Sequence, residues 1–192
     1  MPQSPATTRA RVVEAAYELY YRQGIQNVGL KEVARKAKVA YMSLYNHFAS
    51  KDELVVAVLE HRLGRNRAWL DAIIAGSPNP KAALLTILER QQTWIELNEV
   101  RGCTLINASI ELANPQHPAH QLAHRYKEEV RGRLEELAQE AGLSDPATLS
   151  NQLMLLMDGS NVTAVIRSDP GVARYAFQAA KVLIESASRR PF

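Results

Sequence analysis

Apolar residues recur along this chain at steps of three and four, the period of helices that bury one face. The first run, Val12, Val13, Ala16, Leu19 and Tyr20, follows Thr7 and Thr8, hydroxyl residues suited to an N-cap. It stops at Gly24, expected to end the helix in the left-handed conformation that glycine tolerates. Two short runs follow with barely a break: Leu30, Val33, Ala34 and Ala37, then Leu44, Tyr45 and Phe48. Small Ala34 and Ala37 leave room for a second helix to cross closely, and Val39 plugs the connector, the arrangement of a helix-turn-helix. Ser50 then caps a long fourth helix whose face runs through Leu54, Val58, Leu59 and Leu63 to Leu70, ending near Gly76-Ser77-Pro78. Its first turn holds Asp52 and Glu53, favourable at the positive end of a helix dipole.

The remaining pattern predicts helices at 80–98, 104–113, 118–141, 146–167 and 170–188. Asp145 and Asp169 each precede a proline, the order of an N-cap followed by Pro at the first helical position. No segment alternates as a strand would. The expectation is an all-α protein of nine helices. It has an amino-terminal helix-turn-helix head over 1–54 and a helical body over 55–192.

Charge sharpens the picture. The 192 residues carry a net charge of +3, unevenly spread. Residues 1–70 hold 11 of the 23 Lys and Arg but 6 of the 20 Asp and Glu, a net of +5, which leaves −2 for the remainder. Positive charge gathers where the helix-turn-helix lies, as attraction to a phosphate backbone requires. The second short helix offers Tyr41, Met42, Ser43, Tyr45, Asn46 and His47, hydrogen-bonding and aromatic groups suited to base edges and phosphates. Lys31, Arg35, Lys36, Lys38 and Lys51 flank it. Exposure on that helix nominates Tyr41, Met42, Ser43 and Asn46 for base edges, and flanking Lys31 is a candidate phosphate contact.

The run Gly24-Ile25, Glu32-Val33-Ala34, Ala37, Val39, Leu44-Tyr45-Asn46-His47-Phe48 and Ser50-Lys51-Asp52-Glu53-Leu54 resembles the tetracycline-repressor (TetR) family of bacterial regulators. The resemblance covers about the first 60 residues. It implies a homodimer whose heads bind a double-stranded operator and whose bodies bind a small-molecule effector, with Tyr45, His47 and Lys51 gripping phosphate. It also implies a ligand-responsive regulator, a repressor released by its effector; a DNA-binding activator or a redox- or metal-responsive regulator is the alternative. The sequence departs from the family pattern at four places. Gly29 replaces a helix-starting hydroxyl residue, Lys38 the turn glycine, Ala40 the Ser/Thr cap of the recognition helix, and Met42 a small residue.

In the body, the last two helices are apolar over more than one face, through Leu149, Leu153, Leu156, Val162 and Val165, then Val172, Tyr175, Val182 and Leu183. Such helices are either enclosed by their own domain or shared with a partner. Two of them suit half of an intermolecular four-helix bundle, with Ala176, Ala179 and Ala180 permitting close approach. The resemblance implies the same dimer seam. Residues able to line an effector pocket are Trp69, Trp94, Cys103, Ile106, Asn107, Ile110, Met154, Met157, Asp158 and Asn161, an apolar wall with a few polar groups. Plain core packing is the alternative for each.

Two features stand apart. His117, His120 and His124 include an i, i+4 pair able to chelate a transition metal; helix capping and hydrogen bonding are the other reading. Cys103 follows Arg101-Gly102 and is either a reactive thiol or a buried structural one. A single cysteine excludes an intrachain disulfide framework, and the polar, Pro-containing start lacks a signal-peptide core, so the expected compartment is the cytoplasm. No membrane span, cofactor or catalytic signature is expected: the chain has no Gly-rich phosphate loop, G-x-S-x-G or H-E-x-x-H. A protein-interaction adaptor remains a rival reading.

Overall fold

The computed structural model describes residues 7–97 and 101–188. Among them are nine α-helices, one short 3-10 turn and no strand. They are α1 (Thr8–Gln23), α2 (Leu30–Ala37), α3 (Tyr41–Tyr45), α4 (Lys51–Gly76), α5 (Pro80–Leu97), α6 (Thr104–Leu112), α7 (Pro118–Glu140), α8 (Pro146–Arg167) and α9 (Ala173–Ala187). Boundaries agree with the sequence pattern to within a residue or two except at the last helix. There Pro170–Val172 form the 3-10 turn and the α-helix starts at Ala173. Asp169 accordingly caps that turn, accepting from the Gly171 amide. Asn98, expected to close α5, lies outside the described residues.

The expected caps form. Thr7 Oγ1 accepts from the Ala10 amide at 3.2 Å and Asp145 Oδ1 from that of Thr148 at 3.3 Å. Ser50 Oγ accepts from the Glu53 amide at 3.1 Å, while Glu53 Oε2 accepts from the Ala49 amide at 2.7 Å. This reciprocal arrangement is close to a capping box and fixes where α4 begins. Gly24 ends α1, but with φ 88 and ψ 154 it does not take the left-handed helical conformation expected. It sits in an extended, positive-φ region open essentially to glycine alone.

The described chain forms two compact units, neither continuous in sequence. Among the described residues one comprises 7–65 with 104–124, the other 66–97 and 101–103 with 125–188. In the first, α1 packs on α2 and α2 on α3. Its buried residues include Val12, Ala16, Val33, Leu44, Phe48, Leu54 and Leu63, with Leu105 and Ala108 from α6. Five-residue α3 has no side-chain N-cap, and a helix that short has no stability of its own. Burial of Leu44 and Phe48, each worth about 1.5–3 kcal/mol, holds it in place.

In the second unit α5, α8 and α9 pack together, and Ile95, Ala164, Val172 and Ala173 form a buried cluster with Trp94 against it. Arg67 donates twice to Glu129, at 2.7 and 2.6 Å, clamping the far half of α4 to α7. That bond holds the Glu129 carboxyl below its ordinary range.

Candidate nucleic-acid interface

The turn between α2 and α3 decides how α3 is presented. Lys38 occupies the left-handed conformation, φ 54 and ψ 48, where glycine is the usual resident. Its amide donates to Arg35 O at 3.2 Å and the Val39 amide to Ala34 O at 3.0 Å. Those two bonds make a Schellman ending, so the lysine accepts the steric cost and the turn keeps its geometry. Val39 is only half-buried, a partial plug.

With Leu44 and Phe48 pointing inward, the other side of α3 faces out. Met42 is 69% exposed and Tyr45 39%, with Asn46 and His47 exposed beside them. Tyr45 therefore leaves the inward stripe with which the apolar spacing had grouped it. Tyr41 and Ser43 are half-buried. The Tyr41 hydroxyl donates to that of Tyr45 at 3.1 Å, and the rings meet edge to face with centroids 5.0 Å apart. That hydrogen bond raises the Tyr41 phenol above its ordinary value. Lys31 Nζ lies 6.0 Å from the centre of the Tyr41 ring.

The flanking cations are not equivalent. Lys36 pairs with Glu18 at 2.6 Å. Lys51 Nζ donates to Gln26 O at 3.4 Å; partial burial lowers its ammonium from the ordinary value, against the pull of Asp52 and Glu111. Arg9 stacks 5.1 Å over Phe48, a contact no apolar periodicity signals.

The residues nominated for an effector pocket fall in both units. Ile106, Asn107 and Ile110 lie in the first; Trp69, Trp94, Cys103, Met154, Met157, Asp158 and Asn161 lie in the second. Ile110 is 71% and Trp69 41% exposed, so neither sits in an enclosed wall. Asn107 lines a cleft of about 20 Å³ with Tyr20, Val58 and Leu59, room for about one water. The Tyr20 hydroxyl is buried with no hydrogen-bond partner, and burial pushes its phenol well above the ordinary value. In the second unit, Met157 O accepts from Gln91 Nε2 at 2.8 Å and from Asn161 Nδ2 at 2.9 Å. Asp158 is paired with Lys127. Gln91 Oε1 is buried without a partner, beside a gap of about 10 Å³ that Met157, Ser160 and Phe177 also line. Lys127 and Ser160 escaped the sequence reading because a lysine and a serine on a helix carry no periodic signal.

The histidines do not converge. His117 Nδ1 accepts from the Ala119 amide at 3.1 Å and its Nε2 stands 3.4 Å from Asp52 Oδ2, so the capping reading describes it. His120 Nδ1 is buried without a partner and His124 is exposed. Among the described residues no three His, Cys, Asp or Glu are placed to hold a metal ion. Cys103 is a half-buried free thiol. No helix among them is long and apolar enough to cross a membrane.

A helix-turn-helix with its second helix turned outward among lysines defines a DNA-binding transcriptional regulator. Residues 12–58 match the family model of bacterial regulatory proteins of the tetR family. The chain is similar to the HTH-type transcriptional regulator YjdC of Escherichia coli K12, 25% identical over 79% of this chain and 80% of that one. It is 40% identical over 53 residues to TtgR of Pseudomonas putida, covering 28% of this chain and 25% of that one. In structure it is similar to a TetR-family transcriptional regulator from Streptomyces coelicolor: TM-score 0.90, 25% identity, 95% of this chain and 96% of that one. Its head thus matches the TetR family, and over nearly its whole length the chain is similar to TetR-family transcriptional regulators; the protein is a DNA-binding transcriptional regulator.

Proposed function

We propose that the protein is a homodimeric repressor, cytoplasmic with its DNA, released from a pseudo-palindromic operator by a small, largely apolar effector. DNA contacts lie within 1–54, while effector binding and dimerisation lie within 55–192. The observation that carries this reading is the outer side of α3, where Met42, Tyr45, Asn46 and His47 stand exposed over buried Leu44. Asn46 and Met42 are the foremost base-edge readers, with Ser43 and Tyr41 behind them. Lys31, Tyr45, His47 and Lys51 hold phosphate.

The dimer seam is assigned to α8 and α9. Leu155, Val162, Val165 and Ile166 on the first, and Tyr175 and Val182 on the second, are exposed large apolar groups that one chain leaves in water. The effector is assigned to the α5–α8 region of the second unit, around Trp94, Met154, Met157, Asp158 and Asn161. The unpartnered Gln91 oxygen supports a ligand with one hydrogen-bond donor on an apolar body.

Mobility shift against the DNA upstream of the protein's own gene tests the reading. Lys51→Ala should weaken binding to all sequences alike and flatten the salt slope by about one unit, whereas Asn46→Ala should reorder operator variants. No specific retention at low salt would leave the proposal without support.

A further inference from the structure

A carboxylate from α6 reaches into the turn that follows α1. Glu111 Oε2 accepts from the Gln26 backbone amide at 3.1 Å, and Gln26 Nε2 returns a bond to Glu111 O at 3.4 Å. A Cβ at Gly24 would stand 3.1 Å from Glu111 Oε2, a tight contact that would require the carboxylate to give by a few tenths of an ångström. The same Gln26 residue, through its carbonyl, receives the Lys51 ammonium. At the start of α7, His117 Nε2 stands beside Asp52, the next residue along. Its Nδ1 accepts from the Ala119 amide at 3.1 Å. Segment 104–124 thus touches both Gln26, whose carbonyl receives Lys51, and Asp52, which follows Lys51, and both contacts lie within one compact unit.

From this geometry we infer that Glu111 is a positioning residue for DNA binding: by fixing the Gln26 peptide it sets where Lys51 presents its ammonium to a phosphate. The inference rests on the DNA-binding reading of the head. A floppy lysine loses side-chain entropy when it grips a phosphate, whereas one already anchored has less to lose. Glu111 acts without touching DNA, and its place on α6 makes the phosphate grip sensitive to any displacement of that helix.

The experiment is a salt series of binding to a labelled mixed-sequence duplex, which reports phosphate contacts whatever the operator. Lys51→Ala, Glu111→Ala, their double variant and Glu111→Gln are compared in the full-length protein. Glu111→Ala should flatten the salt slope by about one unit, as Lys51→Ala does, and the double variant should flatten it no further. Glu111→Gln keeps an oxygen that accepts from the Gln26 amide and should retain the wild-type slope. Amide exchange at Gln26 should accelerate in Glu111→Ala and stay slow in Glu111→Gln, which also covers the event that the alanine variant folds poorly. Additive slopes in the double variant, or a glutamine variant that behaves like alanine, would overturn the positioning role while leaving DNA binding intact. A wild-type protein that fails to bind the duplex at low salt would overturn both.

Discussion

Gly24 and Lys38 are the two residues where the head's backbone is most exacting, and they answer substitution in opposite directions. Gly24 takes a conformation closed to other residues and faces the Glu111 carboxylate. Gly24→Ala should therefore cost about 1–3 kcal/mol from backbone strain, before any displacement of Glu111 is counted. Lys38 is a side-chain-bearing residue in a glycine conformation. Lys38→Gly should raise stability by up to about 1 kcal/mol, the relief of left-handed strain less the entropy glycine loses on folding. Denaturant midpoints of the two variants settle both signs, and a Lys38→Gly protein less stable than wild type would contradict the strain.

At the scale of elements, α8 and α9 separate inward from outward faces in a way their composition hides. Leu149, Leu153, Ala164, Ala180 and Ile184 are buried within the single chain, whereas Leu155, Ile166, Tyr175 and Val182 are exposed. Ala180, which small-residue spacing had set in the dimer seam, is 0% exposed and belongs to the chain's own core. A charge there would unfold the protein rather than split a dimer. Val182→Glu is the discriminating change, because that side chain is 64% exposed and its replacement should cost the chain's own fold under about 0.5 kcal/mol. It should yield folded monomers with weakened operator binding. Sedimentation showing an intact dimer alongside an unchanged helical spectrum would move the seam to other elements.

For the whole molecule, the proposed control by an effector would be an energetic coupling between two sites. If the ligand changes the separation of the two recognition helices in a dimer, they no longer fit half-sites about one turn, ~34–36 Å, or a multiple apart. Coupling of that kind is typically worth about 1–3 kcal/mol, roughly 5–150-fold in affinity, and must be reciprocal. Operator DNA should therefore weaken effector binding by the factor by which effector weakens operator binding. Calorimetric titration with and without operator measures both; equal effector affinities would show a bound ligand that is no inducer.

Local order was legible in the residues themselves. Helical period, the Thr7, Ser50 and Asp145 caps and the short break after Ala37 each depend on neighbours within a turn or two, so spacing alone located eight of the nine helices closely and exposed the DNA-binding head. The family resemblance came from the same stretch, for the same reason. What spacing could not supply is which apolar face turns inward when a helix has several, as at Tyr45 and Ala180. Nor could it reveal pairings between distant segments: Glu111 lies 85 residues from Gln26, and Arg67 lies 62 from Glu129. Only tertiary packing brings 104–124 against the amino-terminal helices, because a hydrogen bond between residues so far apart leaves no periodic trace in either segment.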